Sequence, residues 1–143
     1  MNTDRRRDVD LLIEEFWKKG YLTLFRKFGT YLPEPSNIGG FEVDVIAKLK
    51  DNLAIGITLS DQDFKDSSFI KNKLSYLAQR QKRGSNKKVQ LFVGVSVLNL
   101  KYAKSILDEL DPETKKNIRL FQIIDKSDIL TYKENRSEKI LFS

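Results

Sequence analysis

Gly39-Gly40-Phe41-Glu42-Val43-Asp44-Val45-Ile46-Ala47-Lys48, followed by Leu53-Ala54-Ile55-Gly56-Ile57-Thr58-Leu59, decides the reading of this chain. The two apolar runs alternate with the period of a strand, and the polar Leu49-Lys50-Asp51-Asn52 between them predicts a hairpin turn. Successive side chains of a strand point to opposite faces. Phe41, Val43, Val45 and Ala47 therefore share one face, and Glu42, Asp44, Ile46 and Lys48 the other. Two carboxylates beside an apolar strand need a reason, because burying an unpaired charge is costly. Either that face meets solvent, or the pair is arranged around a divalent cation.

Working outward, Val9, Leu12, Ile13, Phe16 and Trp17 recur at helical spacing and predict an amphipathic helix from Asp4 to Lys19, closed by Gly20. Arg5-Arg6-Arg7 falls in its first turn, the wrong sign for the helix dipole. Either these arginines fray into solvent or they have another partner. A strand over Tyr21 to Lys27 follows, then a loop from Phe28 to Gly40 broken by Pro33, Pro35 and the glycine pair.

Beyond the hairpin, Phe69, Ile70, Leu74, Leu77 and Ala78 mark a helix from Phe69 to Arg83. Val89 to Val97 is a continuous apolar run, the pattern of a central strand covered on both faces. A third helix, Asn99 to Leu110, turns Tyr102, Ala103, Ile106, Leu107 and Leu110 inward and stops at Asp111-Pro112. Ile118 to Ile124 predicts the last strand, and the tail carries a short helical stretch near Ile129. The order α-β-β-β-α-β-α-β gives one α/β domain over residues 1–143, a three-layer sandwich around a mixed sheet.

The 143 residues hold no Cys and no His. Disulfides, thiolate or imidazole metal sites, Cys nucleophiles and Ser-His-Asp catalysis are thereby excluded. A metal would have to be held by oxygen, which favours Mg²⁺, Mn²⁺ or Ca²⁺ over zinc. No run approaches a membrane span and no signal-peptide core is visible, so a cytoplasmic protein without a membrane partner is expected. The net charge of +6 bears on a polyanionic partner only if the basic residues cluster.

Helix, three-stranded meander, helix and strand resembles the core of the restriction-endonuclease-like fold, the PD-(D/E)xK nuclease superfamily. The chain is most similar to its small members related to Holliday-junction resolvases. Gly39 to Ala47 resembles their metal-binding strand, in which an Asp follows a short glycine-containing loop. The likeness covers residues 5 to 124. It implies a Mg²⁺- or Mn²⁺-dependent DNA endonuclease with Asp44 as metal ligand, and a first-helix acid supplied by Asp10 or, second, Glu14. The departure lies in the next strand, where the family's Glu-x-Lys falls on Gly56 and Thr58. Neither can supply the second carboxylate or the cation that steadies charge on phosphate.

Three readings follow. A catalytically degenerate nuclease-like domain would bind nucleic acid, DNA being the candidate partner, or serve a DNA-processing or defence assembly without a cofactor. Arg80, Lys82, Arg83, Lys87 and Lys88 would then be its phosphate contacts, against the plainer reading of a solvated helix end. An active enzyme would need migrated groups: Glu42 or Asp61 for the carboxylate, and Lys48 or Lys73 for the cation. Its plain counterpart is a surface pair between Glu42 and Lys48. Thirdly, the aromatic and Pro-rich loop from Phe28 to Pro35 would dock a protein partner or a second copy in a homodimer, unless it is only a stiffened loop.

Overall fold

The computed structural model describes residues 2–80 and 89–123. They form a five-stranded mixed sheet in sequential order, with four helices. α1 (Asn2–Lys18) leads into β1 (Leu22–Arg26), β2 (Val45–Leu49) and β3 (Asn52–Leu59), which pair antiparallel. α2 (Ser67–Ala78) connects β3 to its parallel neighbour β4 (Gln90–Ser96). α3 (Leu100–Asp108) and α4 (Pro112–Lys116) then lead to β5 (Ile118–Ile123), parallel to β4. Among the described residues, no helix is long and apolar enough to cross a membrane.

The two faces of the sheet carry separate cores. Val9, Leu12 and Phe16 of α1 pack with Val45, Ala47, Ala54 and Phe92 on one. On the other, Ile70, Leu74 and Leu77 of α2 and Ala103, Ile106 and Leu107 of α3 pack with Ile55, Ile57, Leu91 and Val93. Every residue of β3 from Ala54 to Leu59 is buried, as an apolar strand covered by both layers must be.

The hairpin differs from its predicted form in one respect that shapes the site. β2 begins at Val45, and Phe41 to Asp44 lie outside the ladder. Val43 packs in the α2 core but Val45 in the α1 core, so the alternation breaks at Asp44 between them. Lys48 pairs with Leu22 and Leu53 inside the ladder and is exposed, so it does not share a continuous face with Asp44.

Other boundaries move by a few residues. α2 starts at Ser67 because the Asp66 carboxylate accepts from the Phe69 N–H at 3.1 Å. α3 ends at Asp108, shortly before Asp111-Pro112, and Pro112 also opens α4 at a position where its missing N–H costs nothing. Trp17, Phe69 and Tyr102, placed inward from spacing, are 77%, 40% and 65% exposed. Each lies at the edge of its helix's apolar stripe, where periodicity alone cannot separate buried from rim. The predicted tail elements lie outside the described residues.

Candidate functional site

The site is built around Asp44. Its N–H donates to the Gly56 carbonyl at 3.0 Å, and its own carbonyl accepts from the Lys27 N–H at 2.9 Å. The backbone is thus clamped between β1 and β3, and the carboxylate turns inward to 2% exposure. One oxygen, Oδ2, accepts from the Thr58 N–H at 2.7 Å and the Thr58 hydroxyl at 3.0 Å. The other, Oδ1, accepts from Arg5 Nη2 at 3.1 Å. Every oxygen of this buried acid is therefore engaged by the protein itself.

Arg5 is the partner the misplaced arginines of the first turn called for. It also lies 3.6 Å from Glu42, and its guanidinium sits over the Phe28 ring. Glu42 takes a second cation, Lys27, at 2.9 Å. The Lys27 hydrogen bond, with Lys27, Arg5 and Lys73 nearby, holds the Glu42 carboxyl below its usual range against the opposing effect of burial.

A cleft of ≈ 190 Å³ opens beside this network. Arg5, Asp8, Glu42 and Thr58 line one part of it. Ser60, Asp63 and Lys73 line the rest, with Phe41 and Phe69 at the rim. Asp63 accepts from the Ser60 N–H at 2.8 Å and its hydroxyl at 3.2 Å. Lys73, projecting from α2, is 7% exposed. Burial pushes its pKa down, partly offset by the carboxylates of Asp44, Asp63 and Glu42 and reinforced by Lys27.

The candidates named from sequence are distributed unevenly around this cleft. Asp44, Glu42 and Lys73 come together. Asp10 points elsewhere and binds Arg26, while Glu14 is exposed on α1. The α1 acid that lines the cleft is instead Asp8. Asp61 accepts from Asn99 Nδ2 at 2.6 Å. Glu42 pairs with Lys27 and Arg5, not with Lys48. Sequence reasoning missed Asp8, Lys27 and Asp63, which are brought in by the packing of α1, by the pairing with Glu42 and by the turn after β3.

Gly56 explains why no second carboxylate follows Asp44. A Cβ there would meet Phe16 Cε2 at 2.6 Å and Leu12 Cδ2 at 3.0 Å. The space a Glu would fill is occupied by the α1 core. With both Asp44 oxygens taken, the residues present do not fit a nuclease-type metal. Among the described residues, no three acidic side chains converge as a ligand group.

Searches against protein-family models, curated proteins and solved structures return no significant match. Fold and geometry alone therefore bear on function.

Of the basic segment, Arg80 is described. Its guanidinium stacks 3.8 Å over the Tyr76 ring and its Nε donates to the Tyr76 carbonyl at 2.9 Å. Lys82, Arg83, Lys87 and Lys88 lie outside the described residues. The base of that segment is closed by Val89 N–H to the Arg80 carbonyl at 2.8 Å. Asn117 Nδ2 reinforces it, donating to the carbonyls of Ala78 and Val89.

Proposed function

We propose that this chain is a catalytically silent domain of the restriction-endonuclease-like fold that binds nucleic acid, within or alongside a DNA-processing or defence assembly. The observation that carries the reading is the state of Asp44. The acid that the nuclease resemblance would assign to a metal is neutralised by Arg5 and saturated by Thr58. Gly56, closed against Phe16, supports the same conclusion, because a ligand cannot be restored there without displacing the core. The cleft that remains sets Arg5, Lys73 and the rings of Phe41 and Phe69 beside the carboxylates of Asp8, Glu42 and Asp63, and the cations and rings are the groups a phosphate-bearing polymer would use.

A second reading, an active Mg²⁺- or Mn²⁺-dependent nuclease with a migrated cation, draws support from Lys73 lying in the field of Asp44. Binding and cleavage of single-stranded, duplex and branched DNA, with and without Mg²⁺ or Mn²⁺, separates the two. The proposed function requires binding without strand scission.

A further inference from the structure

The two ends of the parallel strands differ in charge. Near the C-terminal end of β3, the cleft beside Asp44 sets Asp8, Glu42 and Asp63 against Arg5 and Lys73. At the other end Gln90 opens β4 level with Ala54, four residues or about 13 Å along the strand from Thr58. A pocket of ≈ 250 Å³ lies there, lined by Gln90, Glu113, Lys116, Asn117 and Arg119. Here cations outnumber carboxylates.

The pocket forms where α4 turns into β5. Lys116 ends α4, Asn117 follows it, and Arg119 is the second residue of β5. Hydrogen bonds fix the floor. The buried Asn117 donates to the carbonyls of Ala78 and Val89 and accepts from Gln90 Nε2 at 2.8 Å. Gln79 Nε2, at the end of α2, donates to the Thr114 hydroxyl of α4 at 3.3 Å. The two cations above that floor are exposed. Arg119 Nη1 donates to the Lys116 carbonyl at 3.4 Å, and among the described residues neither side chain enters an ion pair. Their neighbour Lys115 is taken by Asp108. Through Ala78 and Val89, Asn117 also sets the pocket beside the closed base of the basic segment, where the Val89 N–H meets the Arg80 carbonyl.

Two unpaired cations around a recess favour an anion, and the guanidinium fork matches the oxygens of phosphate. The volume is that of about eight waters, room for a phosphate that keeps part of its hydration. We infer that a nucleic-acid backbone crosses the α4–β5 end of the sheet and seats one phosphate between Lys116 and Arg119. This rests on the nucleic-acid reading above and places its phosphate contact away from Asp44. Contacts to phosphate alone carry no base readout, so binding here is indifferent to sequence. The placement suits a domain whose would-be metal acid has become structural, because the polymer has no need to reach it.

Fluorescence anisotropy over a salt series tests this with two labelled duplexes of unrelated sequence. Unlabelled poly-glutamate serves as the competing polyanion. The proteins are the full chain, Lys116→Ala/Arg119→Ala and Lys101→Ala/Lys104→Ala, a control on exposed α3 with the same loss of charge. The first double variant is expected to bind both duplexes about tenfold more weakly and to lower the log-log salt slope by about 0.9, the value for one phosphate. The control keeps the parent's affinity and slope. Poly-glutamate competes at least about tenfold less well than unlabelled duplex, since it offers no phosphate to the fork. Lys116 and Arg119 are exposed, so their removal leaves the core untouched. Duplex binding by the parent that the first variant retains, or that the control loses equally, overturns the inference and leaves the nucleic-acid reading standing. Poly-glutamate competing as well as duplex also overturns it, in favour of an acidic protein partner. A parent that binds neither duplex overturns both readings.

Discussion

Asp44 and Thr58 are joined twice, the threonine giving both its backbone N–H (2.7 Å) and its hydroxyl (3.0 Å) to the same carboxylate oxygen. Thr58 stands where the nuclease resemblance places a lysine, and it turns a would-be ligand into a structural acceptor. Arg5 completes the change by binding the other oxygen from α1, so one buried acid ties the first helix to the centre of the sheet.

That role predicts stability effects opposite to those of a strained catalytic acid, whose removal often stabilises. Asp44→Ala leaves Thr58 and Arg5 without their acceptor and is expected to cost about 3 kcal/mol. Thr58→Val, which keeps the backbone bond, costs about 1.5 kcal/mol. Urea unfolding midpoints of the two variants check the order and the sign. An Asp44→Ala protein as stable as the parent would remove the structural role.

Gly56→Ala tests the closure of the ligand position. The added methyl must displace the buried ring of Phe16, at about 1–3 kcal/mol. The cost should shrink when Phe16→Leu is combined with it, a coupling that a double-mutant cycle measures. Additive effects would mean the Phe16 ring does not set the cost.

The layers were legible in the sequence because burial on two sheet faces writes different patterns. The continuous run around Val93 and the helical spacing of Leu12 and Phe16 leave little choice of element. The site was legible only in part. Asp44 stood out as a charge within an apolar run, and Arg5 as a cation at the wrong helix end. Lys27, Asp63 and Asp8 carry no such mark. Asp8 arrives from α1, Asp63 from the turn after β3, and Lys27 by pairing with Glu42 beside the break in alternation between Val43 and Val45, tertiary arrangements that no local pattern records. Asp111-Pro112 marks the stop of α3 in the sequence but hides the start of α4, because proline suits both a helix end and a helix start.

Lys73 predicts a pH dependence. Burial lowers its pKa from 10.5, with Asp44, Asp63 and Glu42 opposing and Lys27 adding to the shift. The unfolded chain then holds a proton that the folded chain has released between the lowered value and 10.5, so stability rises with pH across that window. Below it the penalty is fully present. Lys73→Met removes the buried charge and should raise neutral-pH stability by about 1 kcal/mol while flattening the alkaline rise. Thermal melts from neutral to alkaline pH read both effects. A loss of stability at neutral pH would show that the ammonium is fully compensated in the fold.

The basic segment after α2 bears on the electrostatic part of binding. Replacing Arg80, Arg83 and Lys87 with Ala should weaken duplex and single-strand binding alike, and flatten the duplex salt slope by about two to three units. Arg80 is already stacked on Tyr76, so its share is read separately from the single variant. Unchanged slope and affinity in the triple variant would leave these residues as solvated surface.

Incubation of the purified chain with labelled single-stranded, duplex and branched DNA in Mn²⁺, beside Asp44→Ala, tests the central claim most directly. With Asp44 saturated by Thr58 and Arg5, the account predicts retained binding and no strand scission by either protein. Mn²⁺-dependent cleavage that disappears with Asp44→Ala would contradict it and make the chain a working nuclease.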